Sequence, residues 1–202
     1  GDRGHTGWKN VNLKPPLITD WLIETEGIPV DIVCNSDNFF VLYTSGTITK
    51  YNSSGEEQFS IEGFDGTSLQ SAALLLIYPD TQQERLLAFS NDNRLVMIDT
   101  HSGNKIWTSD NIFEDTTYES KIRIRKYSRS LDYDGHFLLA AWPIALYHFD
   151  SSMSQPELCW ESDNKSNGEV FLLGNYILAG QYLYSLEGEK MEYFRWVNDH
   201  AI

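Results

Sequence analysis

Met97-Ile98-Asp99-Thr100-His101-Ser102-Gly103-Asn104-Lys105-Ile106-Trp107 decides the fold. An apolar strand, Arg94 to Ile98, runs into Asp99. A polar turn, Thr100 to Gly103, reverses the chain, and a short second strand closes on Trp107. The pattern is a hairpin with glycine where a positive φ is needed and a large aromatic anchor beyond it. The same outline recurs in degraded form along the chain, which makes this a repeat protein.

Outward from that hairpin, short β-rich runs alternate with Asx/Gly turns. The second unit reads Leu69–Tyr78, Arg85–Ser90, Arg94–Asp99 and Lys105–Trp107. Before it come Ile18–Thr25, Val30–Cys34, Phe39–Thr44 and Thr47–Tyr51, ending at Phe59. After it come Ile122–Leu131, Phe137–Trp142, Ala145–Phe149 and Glu157–Trp160, then Val170–Leu173, Tyr176–Ala179, Tyr182–Leu186 and Met191–Trp196. The anchors Trp21, Phe59, Trp107, Trp160 and Trp196 are spaced 38, 48, 53 and 36 residues apart. Four strands per unit at this spacing is the period of a propeller blade. The competing architecture is a β-sandwich of many short strands, which the irregular spacing favours somewhat and the recurring turn order disfavours. No helix is expected, and residues 111–120 read as a long acidic loop. The expected organisation is a lead-in arm, 1–17, closed by Pro15-Pro16, then an all-β propeller domain over 18–202. Its approximate repeats are 18–59, 60–107, 108–160 and 161–196.

The hairpin resembles the repeat of the pyrroloquinoline-quinone-type (PQQ-like) β-propeller family, small-x-Asp-x-x-Thr-Gly-Lys-x-x-Trp. Met97, Asp99, Gly103 and Trp107 match it, with Ser102 for Thr and Asn104 for Lys. Tyr51 to Phe59 is a shorter copy with Phe in place of Trp, Phe149-Asp150 with Trp160 a third, and Leu186 to Phe194 a weak fourth. The stretch from Gly1 to Trp21 is similar to the lead-in before a first blade. The resemblance implies structural roles for the anchors: the aromatic packs between blades and the glycine closes the turn. It also implies a periplasmic or secreted setting, and usually seven or eight blades. About four are legible here, which suits a compact ring, part of a longer propeller, or a half that pairs with another chain. Exposed terminal blades would present unpaired edges, so closure, capping or a partner is expected.

Catalysis is not expected. The quinone-dependent members of the family resemble eight-bladed rings with a cofactor funnel, a Ca²⁺ ion and often adjacent cysteines. This chain is short for that ring, and Cys34 and Cys159 lie far apart. No P-loop, nucleophile elbow or zinc-ligand spacing occurs. Asp132-x-Asp134-Gly135 faintly resembles the start of a Ca²⁺ loop but lacks the later ligands, and reads as a turn. No cofactor or metal is therefore predicted. The alternatives kept open are a quinone- or Ca²⁺-dependent enzyme and a glycan-binding or glycan-hydrolysing propeller.

Charge narrows the partners. The formal net charge of -14 argues against generic binding to a nucleic-acid backbone or docking on an anionic membrane. No apolar run is long enough to span a bilayer. Against this acidic background, residues 121–129 concentrate five of the 15 basic residues. Strand alternation places Lys121, Arg123, Arg125 and Tyr127 on one face; Lys126 and Arg129 complete the stripe. It pairs with the nearby acids Asp110, Glu114, Asp115 and Glu119, or receives an acidic protein or peptide partner; Arg and Tyr are common interface anchors. The chain is thus read as a non-catalytic interaction or ligand-binding scaffold, oligomeric or one part of a longer propeller. The two cysteines sit in apolar runs, so two buried free thiols are expected, with one disulfide as the alternative.

Overall fold

The computed structural model describes residues 27–66, 74–79, 83–92, 94–110, 130–140, 144–162 and 170–193. Every regular element among them is a β-strand. The chain divides into two compact units, Gly1–Glu114 and Asp115–Ile202.

The first unit holds two sheets. Sheet 1 is β1 (Pro29–Cys34), β2 (Asn38–Tyr43), β3 (Ile48–Asn52) and β4 (Glu57–Ile61); sheet 2 is β5 (Leu74–Ile77), β6 (Arg85–Phe89), β7 (Leu95–Asp99) and β8 (Lys105–Thr108). In the second unit, sheet 3 is β9 (Leu131–Tyr133), β10 (Phe137–Ala140), β11 (Ile144–His148) and β12 (Glu157–Ser162). Sheet 4 is β13 (Val170–Leu173), β14 (Tyr176–Ala179), β15 (Tyr182–Ser185) and β16 (Lys190–Tyr193). Each sheet is a four-stranded antiparallel meander with its strands in sequence order. Short Asx/Gly turns permit nothing longer-range, because antiparallel neighbours need only a tight connection.

Period-two alternation builds the cores. In β2, Phe40 and Leu42 point to one side and Phe39, Val41 and Tyr43 to the other. Phe40, Leu42, Val33 and Ile48 of sheet 1 pack with Leu74, Leu86, Ala88, Val96 and Ile98 of sheet 2 and with Phe64. In the second unit Leu139, Ile144 and Leu146 of sheet 3 meet Val170, Ile177, Ala179 and Tyr184 of sheet 4. Fully burying one such large side chain contributes about 1.5–3 kcal/mol. On the other face of sheet 1, Phe39 stacks on Tyr51 with centroids 5.2 Å apart, and the Tyr43 and Tyr51 hydroxyls share a 3.0 Å hydrogen bond.

One regularity has no counterpart in the sequence pattern. All four sheets shift register between their third and fourth strands, at Lys50/Tyr51, Met97/Ile98, Leu146/Tyr147 and Leu183/Tyr184. Such a bulge bends the outer strand and increases its twist.

Sheets 2 and 4 and the last three strands of sheet 3 follow the expected strands closely. The first strand of sheet 3 is Leu131–Tyr133, meeting the expected Ile122–Leu131 only at Leu131, so Asp132 and Tyr133 belong to a strand rather than to the expected turn. Residues 122–129 lie outside the described residues. Sheet 1 is displaced by one strand from the expected unit. It begins at Pro29, and its fourth strand is Glu57–Ile61, which Asn52 to Glu56 joins to β3 as a hairpin turn and which runs past the expected end of the unit at Phe59. Ile18–Thr25, with Trp21, lies outside the described residues. The cysteines differ from expectation in their burial alone: both are free thiols, but they are exposed rather than buried. Cys34 ends β1 on the side opposite buried Val33, and Cys159 lies on β12, the outermost strand of sheet 3, where one face of the pleat meets solvent.

Candidate functional site

The predicted contact stripe, Lys121, Arg123, Arg125, Lys126, Tyr127 and Arg129, lies outside the described residues, as do 111–120. What the structure details is the machinery that joins one blade to the next within each unit, and of the predicted repeat anchors Phe59, Asp99, Gly103 and Trp160 take part in it, while Trp21 lies outside the described residues.

Asp99 ends β7 and organises the turn after it. Its Oδ1 accepts from the backbone N–H groups of His101 and Ser102, at 3.1 and 2.8 Å, and from the Ser102 hydroxyl at 2.9 Å. Its other oxygen meets the Arg85 guanidinium at 3.0 Å. Partial burial pushes this carboxyl upward, but the Ser102 donors and Arg85 outweigh it and hold the group below the usual carboxylate range. The residue at this position does the same work in every blade. Asn52 Oδ1 accepts from Ser54 and Glu56, Asp150 Oδ1 from Ser152, and the Ser185 hydroxyl from Glu187 and Glu189. A short polar side chain closing a turn on its own backbone explains why Asn, Asp and Ser interchange here.

The glycine of that turn receives the aromatic of the preceding blade. Gly103 has φ +74, and a Cβ there would lie 3.1–3.3 Å from the ring of Phe59 on β4. In the second unit Gly188 has φ +86, and a Cβ would lie 2.9–3.2 Å from the indole of Trp160 on β12. The Trp160 indole N–H donates to the Leu186 carbonyl at 2.7 Å, fixing the ring over the turn. Trp107 is half-buried on β8, paired with Met97. Beside Phe59, the Lys50 ammonium donates to the Thr100 carbonyl at 2.8 Å and lies 5.7 Å from the Phe40 and Phe59 ring centroids.

A second kind of joint was not anticipated. Asp31 on β1 accepts from the Leu74 backbone N–H of β5 at 2.9 Å, and Asp132 on β9 accepts from Leu172 of β13 at 2.7 Å. In both, the other carboxylate oxygen accepts from the next residue's N–H, Ile32 or Tyr133, at 2.8 and 2.9 Å. The available signal was a lone acid in an apolar inner strand, in Pro29–Cys34 and Leu131–Tyr133. Asp134, two residues on, accepts from His136 and Phe137, at 2.9 and 2.8 Å, as a turn cap. The carboxylates of Asp132 and Asp134 are thus both engaged by backbone N–H groups.

No protein-family model and no curated protein matches this chain. Among solved structures it is similar to the β-propeller BamB from Moraxella catarrhalis, at 17% identity and a TM-score of 0.60, over 86% of this chain and 50% of that one. It is also similar to the computationally designed Ika4 protein, at 10% identity and a TM-score of 0.52, over 87% of this chain and 96% of that one. A third likeness is to the complex of KlAtg21 with the coiled-coil of AgAtg16, at 13% identity and a TM-score of 0.50, over 80% and 54%. The chain spans about half the length of the BamB chain. At these identities the likeness defines a fold: four propeller-type blades of four antiparallel strands each.

Proposed function

We propose that this chain is a non-catalytic propeller scaffold that binds a protein or peptide partner, and that Lys121, Arg123, Arg125, Lys126, Tyr127 and Arg129 form the contact surface. The observation that carries this reading is how the described polar groups of the repeat are used. Asp31, Asp99, Asp132, Asp134 and Asp150 each accept from backbone N–H groups that hold turns or join blades. Side chains committed in this way are scaffold, not acid–base machinery. The cluster of five cations in a chain of net charge -14 supports an acidic contact on the partner. That a similarly folded protein, KlAtg21, was solved bound to a coiled-coil is consistent with a propeller serving as a docking platform.

The test is affinity capture from the native host at low salt, comparing the chain with its Arg123→Glu/Arg125→Glu variant. A partner that is retained by the chain, released by salt and lost in the variant supports the reading. A partner held equally by both proteins overturns the stripe, and no specific partner overturns the scaffold role.

A further inference from the structure

We propose that Lys50 stands in for an indole: its ammonium supplies the first unit with the inter-blade hydrogen bond that Trp160 supplies to the second. The register shift marks the same place in every sheet. The last pair before it is Lys50 with Phe59 in sheet 1, Met97 with Trp107 in sheet 2 and Leu146 with Trp160 in sheet 3. Where the fourth strand carries tryptophan, the residue opposite is apolar. Where it carries phenylalanine, the residue opposite is lysine. Sheet 4 has Glu192 opposite Leu183 at this place, and no aromatic.

The acceptors match as well. Asp99 and Ser185 each close a turn, and the carbonyl of the next residue receives a donor from the preceding blade. Trp160 gives its indole N–H to the Leu186 carbonyl at 2.7 Å. Phe59 has no N–H to give, although its ring is seated over Gly103 as the indole is over Gly188. The donor comes instead from the residue opposite Phe59. Lys50 Nζ reaches the Thr100 carbonyl at 2.8 Å, lying 5.7 Å from the Phe40 and Phe59 ring centroids. Thr100 is buried, so its carbonyl is costly to leave without a donor. The two aromatic rings favour a cation beside them. Leu146, fully buried opposite Trp160, has no polar atom of its own to satisfy. Gly103 lies four residues past Asp99 and Gly188 three past Ser185, so the shared feature is the first carbonyl after the cap, not the length of the turn. Positions 50 and 59 therefore form one exchangeable pair: phenylalanine is tolerated because lysine faces it.

Hydrogen exchange of the full chain, read by mass spectrometry over residues 94–110, tests this with Lys50→Met, Phe59→Trp and the two together. Methionine opposite tryptophan is the pair that sheet 2 already carries. Lys50→Met keeps an apolar stem and removes the ammonium, and should speed exchange about 10-fold. Adding Phe59→Trp should bring the rate back to within about threefold of wild type. Phe59→Trp alone, with Lys50 still on the carbonyl, should not slow exchange. A double variant as fast as Lys50→Met overturns the proposal, as does a tryptophan with the same effect whether or not Lys50 is present. Should Lys50→Met fail to fold, a double variant that folds supports the exchange, and one that fails likewise overturns it.

Discussion

Substituting Gly188 by alanine isolates the aromatic joint of the second unit. At φ +86 an L-residue meets the left-handed penalty, about 1–2 kcal/mol. The new Cβ would also sit 2.9 Å from Trp160 Cδ2, 3.1 Å from Cγ and 3.2 Å from Cε2. The indole cannot simply step back, because its N–H is held by the Leu186 carbonyl at 2.7 Å. Overpacking of this kind costs about 1–3 kcal/mol, so the total expected for Gly188→Ala is about 2–5 kcal/mol. Gly174 provides the control in the same unit. Its φ is +64, and a Cβ there meets nothing within 4 Å. Gly174→Ala should therefore cost only the backbone part, about 1–2 kcal/mol. Urea unfolding followed by tryptophan fluorescence measures both. A double-mutant cycle completes the argument: Gly188→Ala should cost less in a Trp160→Leu background, where a smaller side chain faces the turn. Equal losses for the two glycines, together with additive behaviour in the cycle, would refute the packing argument.

Asp99 gives a pH-dependent expectation. Its folded-state pKa lies below the unfolded value, so its charge adds stability fully above about pH 3.9, and that stability disappears as pH falls through the lower folded value. Asp99→Asn keeps the capping oxygen, as Asn52 does in the first blade, but loses the charge. It should cost about 1 kcal/mol at pH 7, and the gap from wild type should close in acid; a gap unchanged between pH 7 and pH 2 contradicts the assignment. For the cysteines, both exposed thiols should react with Ellman's reagent in the native state, two per chain, with no denaturant. Fewer than two would place one of them in a disulfide or beneath cover.

The architecture was legible because it rests on local rules. The alternation in Phe39 to Tyr43, the Asx/Gly turns and the recurrent aromatic each reflect a period or a backbone preference visible within a few residues. Where local signals were ambiguous the reading slipped. Glu57–Ile61 did not read as a strand because Glu57, Gln58 and Ser60 make it polar, and Cys34 and Cys159 looked buried because their neighbours are apolar. Burial in an edge strand depends on which face is covered, and alternation alone does not say which.

The sequence by itself determined four meandering sheets and the residues that punctuate them, since antiparallel neighbours joined by tight turns need no distant information. Only the tertiary structure decided how one blade grips the next. Asp31 and Asp132 each reach a backbone N–H about 40 residues away, on another sheet. Phe59 and Trp160 are seated on glycines contributed by the following blade. A side chain's sequence neighbours carry its period, but they do not carry the identity of a partner that only folding brings within 3 Å.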